Sequence, residues 1–449
     1  AMQAKDYPLA VELLDRVTVL ERLDQPGGRA RVHRQDGFTF DAGPTIVTAP
    51  FLFEELWALC GRRMSDDVAL APMLPFYRIR FEDGQSFAYS GDRAAMRAEV
   101  ARFSPDDVSG YERFMAHSEA VCRLGFEELG HVPFGRLGSM LRIAPDLLRL
   151  SGHRSVYDVV ASHIRDERLR TIFSFHPLLI GGSPFRASAI YCLIAHLERR
   201  WGVHFALGGT GRLVDGLAGL IRGQGGSLRC GAEVSRILVE NGAATGVALT
   251  SGERIAADIV VSNADSAFTH RTLLPEGVRR RWSDRRLDRS HSSMGLFVWY
   301  FGTRKKYPEV DHHMILMGPR YRGLLQDIFD RKHLADDFSL YLHRPTATDP
   351  LLAPVPNLDG GQDWAQLAEP YRQRIARFLE GSVLPGLSDA LVTSRVTTPQ
   401  DFSDDFLSFR GSGFGLEPVL TQSAWFRPHN RSEDVANLFL VGAGTHPGA

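Results

Sequence analysis

Short β-branched runs alternate with stretches of helical spacing along this chain, and their order predicts an α/β fold. Val17-Thr18-Val19-Leu20 reads as a buried parallel strand that ends at Glu21. Pro26-Gly27-Gly28-Arg29 is a tight turn, and Phe38-Thr39-Phe40-Asp41 is a second strand closed by Ala42-Gly43-Pro44. Apolar positions from Phe51 to Cys60 recur at helical spacing. Phe76 to Tyr89 alternates as a hairpin around Glu82-Asp83-Gly84. From about Pro105 to Arg200 the pattern is mostly helical. Gly208-Gly209-Thr210-Gly211 then precedes a helix from Leu213 to Arg222, and strand-like segments return at Ser227 to Val239, Gly246 to Leu249 and Ile259 to Ser262. A mixed region follows, and Asn437 to Val441 forms a last strand running into Gly442-Ala443-Gly444.

Composition narrows the function classes. Hydrophobic residues at 44% and charged residues at 23% suit a globular core and exclude disorder. Lys+Arg 52 against Asp+Glu 53 leaves no basic surplus, which argues against nucleic acid as the main partner. The four cysteines, Cys60, Cys122, Cys192 and Cys230, form no C-x-x-C pair, so a reducing cytoplasm fits best. No run approaches the ~18 apolar residues that would span a bilayer. His312-His313 is the only adjacent pair among 16 histidines; it follows Asp311 but has no H-x-x-x-H spacing, so no metal is expected.

The candidate chemistry lies near both ends. An acid at the end of a strand in a dinucleotide fold accepts hydrogen bonds from ribose hydroxyls, which suits Glu21. Gly28 permits close backbone approach to a pyrophosphate, and Arg29 supplies a planar cation for it. Gly442-Ala443-Gly444-Thr445-His446-Pro447-Gly448 is either a second ligand-facing loop or a plain turn. This order predicts a binding domain assembled from separated segments, with a second domain inserted.

Several stretches together resemble the bacterial-type phytoene desaturases, FAD-dependent enzymes on the flavin amine oxidase fold. They include Glu21 with Pro26-Gly27-Gly28-Arg29, Phe38 to Thr45, Phe173-Ser174-Phe175-His176, and Gly208-Gly209-Thr210-Gly211. Further along are Ser262-Asn263-Ala264-Asp265, Thr421 to Asn430 (TQSAWFRPHN), and Val441 to Gly448. The resemblance runs from about residue 8 to the last residue. It implies a Rossmann-like FAD-binding domain over 1–78, 208–275 and 412–449. A mixed-sheet and helical substrate domain, with a membrane-facing part, would cover 79–207 and 276–411.

The resemblance also implies site roles. Glu21 would hold the adenosine ribose, Gly28 and Arg29 would lie by the pyrophosphate, and Gly43, Pro44 and Thr45 would approach the flavin. Val234 would contact adenine through its backbone, and Gly442 and Gly444 would line the flavin and ribityl region. Arg142 matches a proposed active-site arginine, either a catalytic group or a salt-bridge residue on an amphipathic helix. The family's nearby aspartate is Ser139 here. The implied reaction turns phytoene towards lycopene, with hydride passing to FAD and a neighbouring proton lost. A quinone or oxygen would take the electrons. Desaturation of a related polyene, or a flavin-free isoprenoid carrier of the GDP-dissociation-inhibitor kind, are the other readings. A cytoplasmic protein held at the membrane surface is implied, with Met140 to Leu150 either lying in the interface or facing the core.

The family's G-x-G-x-x-G is not found in these residues. Leu9 to Leu14 resembles the end of the helix that follows it, joined to Arg16-Val17-Thr18 with almost no turn. Asp349 to Pro354 likewise abuts two pieces that the family separates. The expectation is that the intact protein also carries these segments and a helix after Gly448, with chain breaks near Leu14–Arg16, near Asp349–Leu352 and after Ala449.

Overall fold

The computed structural model describes residues 16–130, 132, 135, 137–344 and 348–446. The readings for Leu9–Leu14, for Pro447 and Gly448, and for a break after Ala449 lie outside these residues.

Two parallel strand pairs carry the chain's two ends. Thr18–Leu20 pairs with Ser227–Arg229, and Val260–Ser262 pairs with Leu438–Leu440. Distant parts of the sequence therefore meet, as a discontinuous Rossmann-like α/β unit requires. The first strand is less buried than its β-branched run predicts: Thr18 is exposed and Val19 and Leu20 are half-buried.

Phe38–Asp41 is a strand, but its partner is Val32–Gln35 in an antiparallel hairpin that the sequence pattern does not reveal. Asp36 and Gly37 turn it with φ of 51° and 81°, the paired positive values that match a two-residue hairpin. The expected Phe76–Tyr89 hairpin forms with Ile79 opposite Phe87. The single strand expected at Ser227 to Val239 is split into Ser227–Arg229 and Val234–Glu240.

The mixed region after residue 275 contributes most of a seven-stranded sheet. Its order is Leu391–Thr397, Gly295–Thr303, Thr348–Val355, Leu340–His343, His313–Leu316, Tyr77–Arg80, Ser86–Tyr89. Gly295–Thr303 is buried along its whole length, because the sheet is covered on both faces. A continuous apolar run of this kind cannot be assigned by period, which leaves it ambiguous in the sequence. Residues 348–355 form a strand paired antiparallel to Gly295–Thr303. On one face pack the helices Val108–Cys122, Glu167–Ser174 and Leu193–Trp201, around a core that includes Tyr77, Phe87, Phe114 and Phe173.

Among the described residues no helix is long and apolar enough to cross a membrane. The Leu137–Arg149 helix nonetheless leaves Leu141 68% and Leu148 61% exposed.

Candidate functional site

A cavity of about 1300 Å³ runs between the two ends of the chain and the helical segment. Arg29, Gly43, Pro44, Thr45, Ala443 and His446 line one region. Phe126, Ile143, Leu147 and Trp201 line another, with Phe175, Ile315 and Tyr341 also in the wall. The lining is overwhelmingly apolar, which suits a hydrophobic ligand oriented by few polar groups.

The glycine-bearing wall is built by close backbone approach. A Cβ on Gly43 would stand 2.0 Å from the Arg29 backbone oxygen, so only glycine lets these two segments touch. Thr210 donates its hydroxyl to the Pro44 backbone oxygen, which ties this wall to the Thr210–Gly223 helix. Asp41 sits at that helix's N-terminus, where a Cβ on Gly209 would lie 2.6 Å from its carboxylate. Burial pushes the Asp41 carboxyl up, and the Thr210 and Gly211 N–H groups oppose that. The Gly-Gly-Thr-Gly stretch thus supports the wall from behind.

Gly442, at φ +100°, would meet Asn263 Oδ1 at 2.5 Å if it carried a Cβ, and Gly444 would meet Ser266 Oγ at 2.5 Å. The C-terminal loop therefore lies directly on the Ser262–Asp265 turn, where Asp265 caps the next helical turn by accepting from Ala267 and Phe268. Two of the resembling motifs also lock together. Arg427, 2% exposed, donates to the backbone oxygens of Ala443 at 2.9 Å and Leu416 at 3.2 Å. Asn430 donates to the His446 backbone oxygen at 3.0 Å. Burial, with Arg427 and His429 nearby, lowers the His446 imidazole to about 4.

Arg29 spends one of its five N–H donors on Ser408 Oγ, at 2.5 Å. Burial lowers its pKa, and the charge of Asp265 opposes that shift. A guanidinium beside a glycine-built wall fits an anionic pyrophosphate, so these residues suit a dinucleotide such as FAD.

Glu21 and Val234 are brought near each other, away from the cavity lining. The Glu21 backbone oxygen accepts from Ala232 N–H at 2.8 Å, two residues before Val234, and Arg22 pairs with Glu233 at 2.9 Å. Glu21 Oε1 accepts from Leu23 N–H at 2.8 Å. Gly28 has φ +53° and open space where a side chain would be. Arg142 is exposed on the outside of its helix, whereas its neighbours Ile143 and Leu147 face the cavity. Geometry therefore does not group it with the other candidates. The side chain of Ser139 lies outside the described ones.

The sequence does not single out Glu198 or Tyr341, which are set into the wall. Glu198, 1% exposed, accepts from Tyr77 Oη at 2.6 Å and lies 3.2 Å from His176 Nε2. Tyr341 Oη lies 2.9 Å from Thr45 Oγ1 and 2.6 Å from His313 Nδ1. These residues come from distant segments of the chain. Of them, only His176 and Thr45 stand in a recognisable motif.

Comparison with known proteins agrees with this geometry. The flavin containing amine oxidoreductase family model matches residues 9–449. The neurosporene-forming phytoene desaturase of Cereibacter sphaeroides is 49% identical over 450 residues, covering 97% of this chain and 87% of that protein. The lycopene-forming phytoene desaturase of Pseudescherichia vulneris is 49% identical over 446 residues, covering 96% and 90%. Among solved structures, an oxidoreductase from Methanosarcina mazei aligns with a TM-score of 0.61 at 16% identity, covering 97% of this chain and 92% of that one. Cyclohexylamine oxidase from Brevibacterium oxydans aligns at 0.58 with 14% identity, covering 97% and 90%. At such identities the structures speak for the fold alone. The chain belongs to the flavin containing amine oxidoreductase family and, within it, groups with the bacterial phytoene desaturases.

Proposed function

We propose that this protein is an FAD-dependent oxidoreductase that desaturates a C40 carotenoid precursor, converting phytoene towards neurosporene or lycopene. The observation that carries the reading is the apolar cavity joining the glycine wall at Gly43–Thr45 to the helical segment at Ile143 and Leu147. Burial at about 0.8 kcal/mol per CH₂ holds a long polyene without any hydrogen bond. FAD supplies the hydride acceptor when bound.

The chain's own groups position and enclose. Glu21 would hold the ribose hydroxyls and the Val234 backbone would meet the adenine. Gly28 and Arg29 would take the pyrophosphate, Gly43, Pro44 and Thr45 would meet the flavin, and Gly442 and Gly444 would line its ribityl side. The cofactor domain comprises 1–78, 208–275 and 412–449, and the substrate domain 79–207 and 276–411. Phe126, Phe175, Ile315 and Trp201 exclude water from the reacting carbons. Arg142, exposed beside Leu141, serves at the membrane surface rather than at the reacting carbons, and a quinone or oxygen takes the electrons. The exposed Leu141 and Leu148, on a helix whose Ile143 and Leu147 line the cavity, support entry of substrate from a cytoplasmic membrane surface.

Incubating the protein with FAD and phytoene in liposomes tests the reading. It predicts a pigment with an extended conjugated chain. Unchanged phytoene with FAD bound would refute it.

A further inference from the structure

Removing hydride from one carbon leaves a cation whose neighbouring proton must still leave an apolar cavity. A line of polar groups starts at that cavity and ends at the surface. Thr45 and Tyr341 both line the cavity, with Thr45 Oγ1 and Tyr341 Oη 2.9 Å apart. Tyr341 Oη lies 2.6 Å from His313 Nδ1. His313 is the direct cross-strand neighbour of His343, and the two rings stack at 15° with centroids 5.1 Å apart. His343 Nε2 lies 3.0 Å from His312 Nε2, and His312 is only half-buried.

Two ring nitrogens in this line are buried without a partner, Nε2 of His313 and Nδ1 of His343. They belong to the two rings between which a hydrogen-bond path still needs a link. Ring nitrogens of the three histidines cluster within 4.8 Å of one another, close enough for a water to share in the group, and a water between His313 and His343 is the link the proposal adds. All three imidazoles are held neutral below their usual range, chiefly by burial. His312 is also lowered by Arg344, His313 by His312, and His343 by both other histidines.

Resting on the desaturase reading, we propose that Tyr341, His313, His343 and His312 form a conduit that carries the substrate's proton from the cavity to solvent. The departing C–H pair becomes the new C=C bond, the hydride having gone to the flavin. Tyr341 takes the proton on its oxygen and passes its own to His313 Nδ1. His313 Nε2–H passes one through water to His343 Nδ1, and His343 Nε2–H passes one to His312 Nε2. His312 Nδ1–H releases it to solvent. Each ring gains a proton at one nitrogen and loses one at the other, so no charge accumulates. The positive charge of Arg344, which acts on His312, opposes a divalent ion at this three-histidine cluster.

The experiment compares wild type, Tyr341→Phe and His343→Ala in FAD-loaded form with phytoene liposomes. Turnover is expected to fall at least tenfold in both variants. Imidazole and its methyl derivatives should restore His343→Ala in order of their basicity, which a merely structural residue would not show. Should His343→Ala fail to fold, His312→Asn at the half-buried end carries the same rescue. In ¹⁵N-histidine-labelled protein without FAD, Tyr341→Phe should shift His313 Nδ1 and leave the His312–His343 pair unchanged. Unimpaired variants with an active wild type, or a loss that no added base restores, overturn the conduit alone. Stoichiometric zinc binding that fixes all three ring resonances overturns it in favour of a metal site. A wild type that forms no polyene overturns the functional reading itself.

Discussion

Asn430 holds the backbone oxygen of His446 at 3.0 Å, so the Thr421–Asn430 stretch fixes the loop that runs from Gly442 past the cavity. The same amide lies 3.4 Å from the Leu440 backbone oxygen and from Thr445 Oγ1. Asn430→Ala is expected to lose about 1–2 kcal/mol of stability. FAD affinity should fall with it, because the loop then moves. Chemical denaturation with and without FAD checks both effects.

Glu21→Ala should weaken FAD binding by about 1.5–3 kcal/mol, the worth of a charge-assisted hydrogen bond. The fold should lose only about 0.5–1.5 kcal/mol, for the Leu23 N–H bond to Glu21 Oε1, since the Glu21 backbone oxygen keeps its bond from Ala232 N–H. Fluorescence titration with FAD measures it, and unchanged affinity would remove Glu21 from the site.

Gly43→Ala puts a methyl group 2.0 Å from the Arg29 backbone oxygen, and backbone must move to admit it. A cost of about 1–3 kcal/mol is expected. A Cβ on Gly28 would meet no atom within 4 Å, so Gly28→Ala should cost only its positive-φ strain, about 1 kcal/mol. Thermal midpoints of the two variants rank them directly.

Leu141→Glu with Leu148→Glu should abolish co-sedimentation with liposomes while leaving the thermal midpoint nearly unchanged. Leu141 is 68% and Leu148 61% exposed, so little core packing is lost. Full sedimentation of the double variant would move the membrane contact elsewhere.

Much of this architecture is legible in the chain, and the exceptions have physical causes. The Phe76–Tyr89 hairpin and the Thr210–Gly223 helix can be read because period and turn residues agree there. Gly295–Thr303 cannot, since a strand buried on both faces has no alternation. The glycine wall is legible because close approach restricts residue type at single positions such as Gly43. The histidine cluster is not. His313 and His343 stand on different strands, and only the antiparallel register of those strands brings them together.

Glu417 gives the protein a pH dependence. It is 1% exposed, and burial pushes its carboxyl up to about 7 against the pull of Arg186 and Lys332. Folding therefore favours the protonated form. The stabilisation is fully present below the unfolded value of 4.5 and is lost as pH rises to about 7. A shift of that size corresponds to about 3 kcal/mol. Glu417→Gln should flatten the decline in urea-denaturation free energy between those pH values.

Desaturation requires that electrons leave a hydrocarbon for a flavin held at the Gly43–Thr45 wall. Anaerobic mixing of the FAD-loaded protein with phytoene liposomes tests it most directly, by following flavin absorbance and extracting the polyene. One flavin should bleach for each double bond formed in the polyene. Polyene formed without flavin bleaching, or flavin bleached by a small amine while phytoene stays unchanged, would contradict it.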